Sequence, residues 1–244
     1  MSTYYRPDPD LDFLKECSNE ELNILVHVLL YDREGKQRFV VRRLPNHPLY
    51  KQHAPNHSLY WEVIAGEIQL YGSNPLAAIA RGGRGKHYIK ILEDVCDRFD
   101  LRYNPNAATE IIERELYSFL FSKSLQRLSK ANLEAVSTAF GVKPAGMNQL
   151  AVSVAITEAM RFDDTLASKV ALCVAHGAAM FASNVGYRDQ VPESFQPALD
   201  VTEKPLMVEF DSIAPINITG SAHWFMVPVV MQVIYLRTKH LAQS

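Results

Sequence analysis

Cysteine is scarce in this chain: Cys17, Cys96 and Cys173 stand far apart among 244 residues, with no CxxC pair. An odd, scattered set of this kind excludes a disulfide framework and predicts free thiols in a reducing compartment, hence a cytoplasmic protein. Charge of one sign is lacking too. Lys and Arg number 25 against 27 Asp and Glu, a formal net charge of -2, which disfavours a globally basic nucleic-acid binder and leaves room only for a local basic patch. Long hydrophobic runs are missing. The two most apolar stretches, 166–182 and 222–236, are broken by Lys169 and His176 and by Pro228 and Gln232, so neither offers the ~18 uninterrupted apolar residues of a membrane span. Both read as buried core helices, with peripheral membrane contact left open. The start, MSTYYRPDPDLDF, has prolines and aspartates where a signal peptide needs a basic end and an apolar core, so the mature chain is expected to begin near Met1.

What is present is enough for a substantial core. The hydrophobic fraction is 48% and the charged fraction 21%, and a chain of this length buries roughly three quarters of its unfolded surface without a disulfide or metal. Ser18 and Glu21 form a capping box, and Leu22, Leu25, Val26, Leu29 and Leu30 then share one face, predicting a helix over 18–30. The preceding segment 11–16 predicts a short helical turn that pairs with it. Three prolines, two asparagines and three histidines at 45–57 predict a surface loop. Further helices are expected from Ser58 to a stop at Gly72, after Asn74-Pro75, through Ile91, Leu92, Val95 and Phe99, over 108–121, within 124–139, and over 147–160, 165–183 and 222–240. The last is expected to bend at Pro228 and to place Arg237, Lys239 and His240 at the negative end of its dipole. Four prolines between 184 and 220, with the β-compatible run PLMVEF, predict a loop and allow a small β-hairpin at about 204–219. The fold class is therefore mainly α, a helical bundle. Its boundary is expected at 141–146, between an N-terminal helical domain (1–140) and a C-terminal helical region (141–244) packed on it.

Several ordered segments carry a family resemblance: DLDFLKECSNEEL (10–22), GKQR (35–38), YWEVIAGEIQLYGSN (60–74), RGGRGKHYIKILEDVC (81–96), IIERELYSFL (111–120) and GSAHWFMVPVVMQVIYLR (220–237). The chain resembles the bacterial YaaW family over about 10–120 and the last two dozen residues, and matches it poorly over about 140–219. The resemblance implies a helical fold with a region like the ubiquinol–cytochrome c chaperone domain, and no established activity. A shared helical fold does not transfer that domain's client. Relatives tend to have a glycine- and alanine-rich apolar stretch where this chain has Arg188, Asp189, Glu193, Asp200, Glu203 and Lys204, which weakens an inference of membrane insertion.

Candidate sites are few. Arg81, Gly82, Gly83, Arg84, Gly85 and Lys86 form a glycine-rich basic turn before a helix, and free N–H groups with three cations suit an anion or a binding partner. It is not a P-loop, because Ala80 replaces the first glycine and His87 the magnesium-binding hydroxyl; the plainer reading is a tight turn with solvated cations. Trp61, Glu62 and Glu67 suggest a pocket or, more simply, an acidic group bracing the bundle against Arg81 or Lys86. His47, His53 and His57 raise a metal, but Pro55 breaks the helix that would align the last two, so no metal and no cofactor is expected. Cys17 and His27 have no third catalytic partner. No G-x-S-x-G elbow, HExxH helix or Rossmann fingerprint occurs.

The leading expectation is a non-catalytic interaction or assembly factor, chaperone-like, holding a protein client in an apolar groove, with Trp224, Phe225 and Met226 at the start of the last helix as contributors. One alternative is an RNA- or ribosome-associated protein using 81–86. Another is a hydrolase whose carboxylates, Glu62, Glu67, Asp94 and Glu113, converge from distant segments.

Overall fold

Ser18 opens the first long helix as its spacing predicts: its hydroxyl accepts from the Glu21 N–H while the Glu21 carboxylate accepts from the Ser18 N–H. The computed structural model describes residues 4–38, 43–71, 85–213 and 226–243. Its helices are α1 (Asn19–Leu30), α2 (Arg43–Asn46), α3 (Pro48–His53), α4 (Trp61–Tyr71), α5 (Tyr88–Arg98), α6 (Thr109–Leu125), α7 (Lys130–Phe140), α8 (Gln149–Ala159), α9 (Asp164–Ser183), α10 (Gln196–Ile213) and α11 (Met226–Leu241). Short 3-10 turns stand at Asp12–Glu16, His57–Tyr60 and Arg188–Gln190. Among the described residues the only β feature is a lone bridge between Tyr31 and Gln37. The expected all-α bundle is what forms.

The hairpin expected at 204–219 does not form over its described part, because 204–213 belongs to α10; 214–219 lies outside the described residues. The alternation of PLMVEF is overridden by a longer helical stripe: Ala198, Leu199, Thr202, Leu206 and Phe210 recur every three or four residues and are all buried. Burying a large apolar side chain contributes roughly 1.5–3 kcal/mol. Leu199, Leu206 and Phe210 together outweigh the roughly 3 kcal/mol cost of interior Pro205. The loop expected at 45–57 is also corrected. Pro48 takes the first position of α3, where its missing N–H costs nothing, and His47 caps it by accepting from the Leu49 N–H. Ser58 is not the cap of α4; it sits within the 3-10 turn His57–Tyr60, and its N–H is taken by Asn19.

Two helices form the centre. α9 packs along both α10 and α11, and its alanines at 167, 171, 175, 178, 179 and 182 are all buried. By length and composition α9 resembles a membrane span, yet 72% of its apolar window is inside the fold, as a core helix requires. Gly177 marks the closest approach: a Cβ there would stand 2.6 Å from the Leu206 Cβ. In α11, residues from Met226 to Arg237 are buried. Met226 is therefore core rather than part of an open groove; Trp224 and Phe225 lie outside the described residues.

Long-range polar contacts join the helices. Arg38 donates from Nε to the Val28 carbonyl and from Nη2 to the Ala182 carbonyl, so one guanidinium satisfies the C-terminal ends of α1 and α9. Asp8 accepts from the Tyr88 N–H at 2.7 Å and from Gln69 Nε2 at 3.1 Å, binding the N-terminal segment to the start of α5 and the end of α4.

Candidate functional site

Of the glycine-rich turn, Arg81, Gly82, Gly83 and Arg84 lie outside the described residues. Gly85 is pressed against α4: a Cβ would stand 2.2 Å from the Gln69 carbonyl carbon, and the Lys86 N–H donates to the Gln69 carbonyl. That glycine has a packing reason. Beyond it, Arg6, Lys86, His87, Lys90 and Asp94 line an open cleft of about 270 Å³. Its cations have anionic neighbours. Lys86 bonds Asp94, Lys90 bonds Glu93 at 2.7 Å, and His87 Nδ1 lies 3.4 Å from Asp8.

Trp61, Glu62 and Glu67 have different surroundings. Trp61 meets Tyr5 edge to face at 5.4 Å, Glu62 is exposed, and Glu67 is buried. The Glu67 carboxylate accepts from the Tyr4 hydroxyl at 2.8 Å and the Leu44 N–H at 2.9 Å. These bonds join α4 to the N-terminal segment and to α2, with the Arg43 charge nearby; Lys86 bonds Asp94. Burial raises the carboxyl above its ordinary range despite those bonds. His57 is likewise buried in structure, 2.6 Å from the Tyr60 hydroxyl and 3.2 Å from Asn23. Among the described residues no three of His, Cys, Asp and Glu stand together as a metal site.

Of the four carboxylates considered for a hydrolase, Glu67, Asp94 and Glu113 take separate partners. Glu113 is the most perturbed: it accepts from the Tyr88 hydroxyl at 2.7 Å, and its other oxygen stands 2.9 Å from Arg237 Nε, an ion contact outside hydrogen-bond alignment. Arg237 also bonds the Asp10 carbonyl and lies over the Phe13 ring at 4.7 Å. Burial outweighs the arginine and pushes the carboxyl up to about 7. Arg237 thus joins α11 to α6, α5 and the N-terminal segment, and does not serve as the exposed dipole partner its position suggested.

A second buried polar group was not singled out by spacing. His176 Nδ1 accepts from the Tyr187 N–H at 3.0 Å, which leaves the proton on Nε2, 3.3 Å from Glu203. Tyr187 in turn donates to Gln232 Oε1, whose amide donates to the Ala175 carbonyl. This chain of bonds ties α9, α10 and α11 together. These bonds give it a structural role.

A further candidate is the outward side of α8. Val152, Ile156 and Met160 face inward, and the Ser122 and Ser153 hydroxyls meet at 2.8 Å where α8 runs beside α6. Part of the outward side is apolar too, interrupted by exposed Glu158 and Arg161. Leu150 is 75% exposed, Val154 51% and, just past the helix end, Phe162 90%. Ala151 and Ala155 are half-buried beside them. The rim is charged and internally balanced, with Arg161 3.4 Å from Glu158 and Arg114 3.8 Å from Asp164. Sequence showed the apolar residues of 147–160 but not which would remain outside.

Comparison with known proteins adds relatives but no chemistry. Residues 5–39 match a domain of unknown function, DUF3944. A UPF0174 protein of Helicobacter pylori strain J99 is 28% identical over 237 residues, 96% of this chain and 93% of the relative. The UPF0174 protein YaaW of Escherichia coli K12 is 37% identical over 119 residues, 48% of this chain and 49% of YaaW. A UPF0174 protein of Helicobacter pylori strain 26695 is 29% identical over 204 residues, 80% of this chain and 96% of the relative. No solved structure matches. The likeness to the ubiquinol–cytochrome c chaperone domain finds no support in these comparisons. Because the first relative spans 96% of the chain, the segment 140–219 has a counterpart there and is not peculiar to this protein. The YaaW resemblance itself is borne out: the chain is similar to UPF0174 proteins, YaaW among them.

Proposed function

We propose that this protein is a non-catalytic interaction or assembly factor that engages a protein partner through the outward face of α8. The observation that carries this reading is the exposure of Leu150 and Val154 on one side of a peripheral helix and of Phe162 just past its end. Large apolar side chains grouped this way mark interaction sites more often than scattered ones do. A cytoplasmic setting is part of the proposal and rests on three free, buried thiols. The test is affinity purification from the native cell with the wild-type chain and with Leu150→Lys/Phe162→Lys. A partner retained by the first and lost by the second supports the reading; identical partner sets overturn it.

A second reading is favoured by one observation, the cleft lined by Arg6, Lys86, His87 and Lys90. An RNA-associated protein would hold backbone phosphates there. Salt-sensitive RNA retention that falls when Arg6, Lys86 and Lys90 are changed to alanine would establish it. It ranks second because Asp94, Glu93 and Asp8 already neutralise much of the local charge.

A further inference from the structure

His176 meets the stretch of chain that follows its own helix, and we infer that it is an acid-operated latch. It holds the turn at Tyr187 against α9 while its ring is neutral and releases that turn when the ring takes a second proton.

The hold on the turn depends on a lone pair. α9 ends at Asn184 in the left-handed conformation, and the chain doubles back so that the Tyr187 N–H donates to His176 Nδ1 at 3.0 Å. Gly186 lies directly against the same edge of the ring, where a Cβ would stand 2.4 Å from Nδ1 and 2.5 Å from Cε1. The other nitrogen, Nε2, is 3.3 Å from Glu203 of α10. A neutral imidazole satisfies both neighbours, because Nδ1 accepts and Nε2 donates. An imidazolium has two donors and no acceptor. Its Nδ1–H would face the Tyr187 N–H, and turning the ring over restores no acceptor there. The second proton therefore breaks the bond to the backbone while it strengthens the bond to Glu203, which becomes charge-assisted.

The surrounding groups set the direction. Glu203 and Asp200 of α10 favour the imidazolium, whereas Arg188 of the turn opposes it and is itself bonded to Asp200. From α11, Gln232 accepts from the Tyr187 hydroxyl and Tyr235 meets the Tyr187 ring edge to face at 4.9 Å. Burial is the largest influence and holds the ring neutral until the pH is below its ordinary value of 6.5. The latch is therefore closed above that value and opens as pH falls. Asn184 and residues 188–190 are exposed, so the turn can lift by local opening without parting α9 from α10.

Amide hydrogen exchange of the full chain, followed by NMR and corrected for the intrinsic pH dependence of exchange, tests the latch, with the His176 ring titrated in the same samples. Between pH 7.5 and full protonation of the ring, protection of the Tyr187 N–H should fall at least tenfold while the amides in the middle of α9 keep theirs. His176→Asn retains an acceptor near the Nδ1 position and does not titrate, so protection of Tyr187 should no longer depend on pH. Glu203→Gln removes the partly exposed carboxylate that favours the imidazolium and should move the release to lower pH, which keeps the test open if the asparagine variant fails to fold. Protection of Tyr187 that survives protonation of the ring, or that is lost in step with the α9 amides, overturns the latch. So does a pH dependence that persists in His176→Asn, or an unmoved midpoint in Glu203→Gln.

Discussion

Tyr88 donates its phenol proton to Glu113 across 2.7 Å inside the bundle, on a carboxylate that also faces Arg237. The pair is fully buried, and burial lifts the Glu113 carboxyl from 4.5 to about 7. Between those values the folded chain holds a proton that the unfolded chain has released. The stability due to that proton is full below the unfolded value and is lost as pH rises through about 7. Glu113→Gln should remove this slope, gaining on the wild type by on the order of 3 kcal/mol from acid to neutral pH. Urea melts across that range check it, and parallel pH profiles for the two proteins would contradict it.

Arg237→Ala leaves the Glu113 charge buried without its counter-ion, at an expected cost of about 3–5 kcal/mol above pH 7. Below pH 6 the cost should shrink, because Glu113 is then protonated. A pH-independent penalty would show that Arg237 acts through packing over Phe13 instead.

Gly186→Ala should disturb the bonds around His176. The added Cβ would stand 2.4 Å from His176 Nδ1, where the Tyr187 N–H now donates. A loss of about 1–3 kcal/mol is expected. In the wild type, burial lowers the His176 pKa while Glu203 and Asp200 oppose the shift and Arg188 assists it. A depressed imidazole contributes stability above its unfolded value of 6.5 that is lost as pH falls. His176→Gln should flatten that acid limb; NMR titration of the ring checks the direction.

Gly177→Ala forces α9 and α10 apart at the Leu206 Cβ and should lower stability by about 1–3 kcal/mol. Leu206→Ala keeps that Cβ and should not rescue the variant. Rescue by Leu206→Ala, read by thermal melting, would place the clash elsewhere.

Cys17, Cys96 and Cys173 are buried, and burial pushes each thiol up to about 12. At pH 8 they should resist iodoacetamide in the folded protein and react together on denaturation. Rapid modification of any one in the native state would contradict its placement.

Much of the helical framework was legible because it rests on local signals. The Ser18–Glu21 capping box, Gly141 in the left-handed conformation at the end of α7, and Asn148 and Asp163 before α8 and α9 all act within a turn of their own residues. The segments misread were those where local chemistry and tertiary burial disagree. Pro205 and the alternation of PLMVEF argue against helix until Leu206 and Phe210 have a core to enter. Pro48 and the histidines around it resemble a loop until the chain turns on His47.

Composition and periodicity by themselves determined an all-α bundle with a self-sufficient core, since amphipathic spacing and caps are properties of neighbouring residues. Tertiary structure alone decided that Arg237 meets Glu113, that His176 meets Glu203, and that α8 leaves Leu150, Val154 and Phe162 outside. Those outcomes depend on which helices become neighbours: an apolar residue counts as core or surface only once the opposite face of its own helix has been packed.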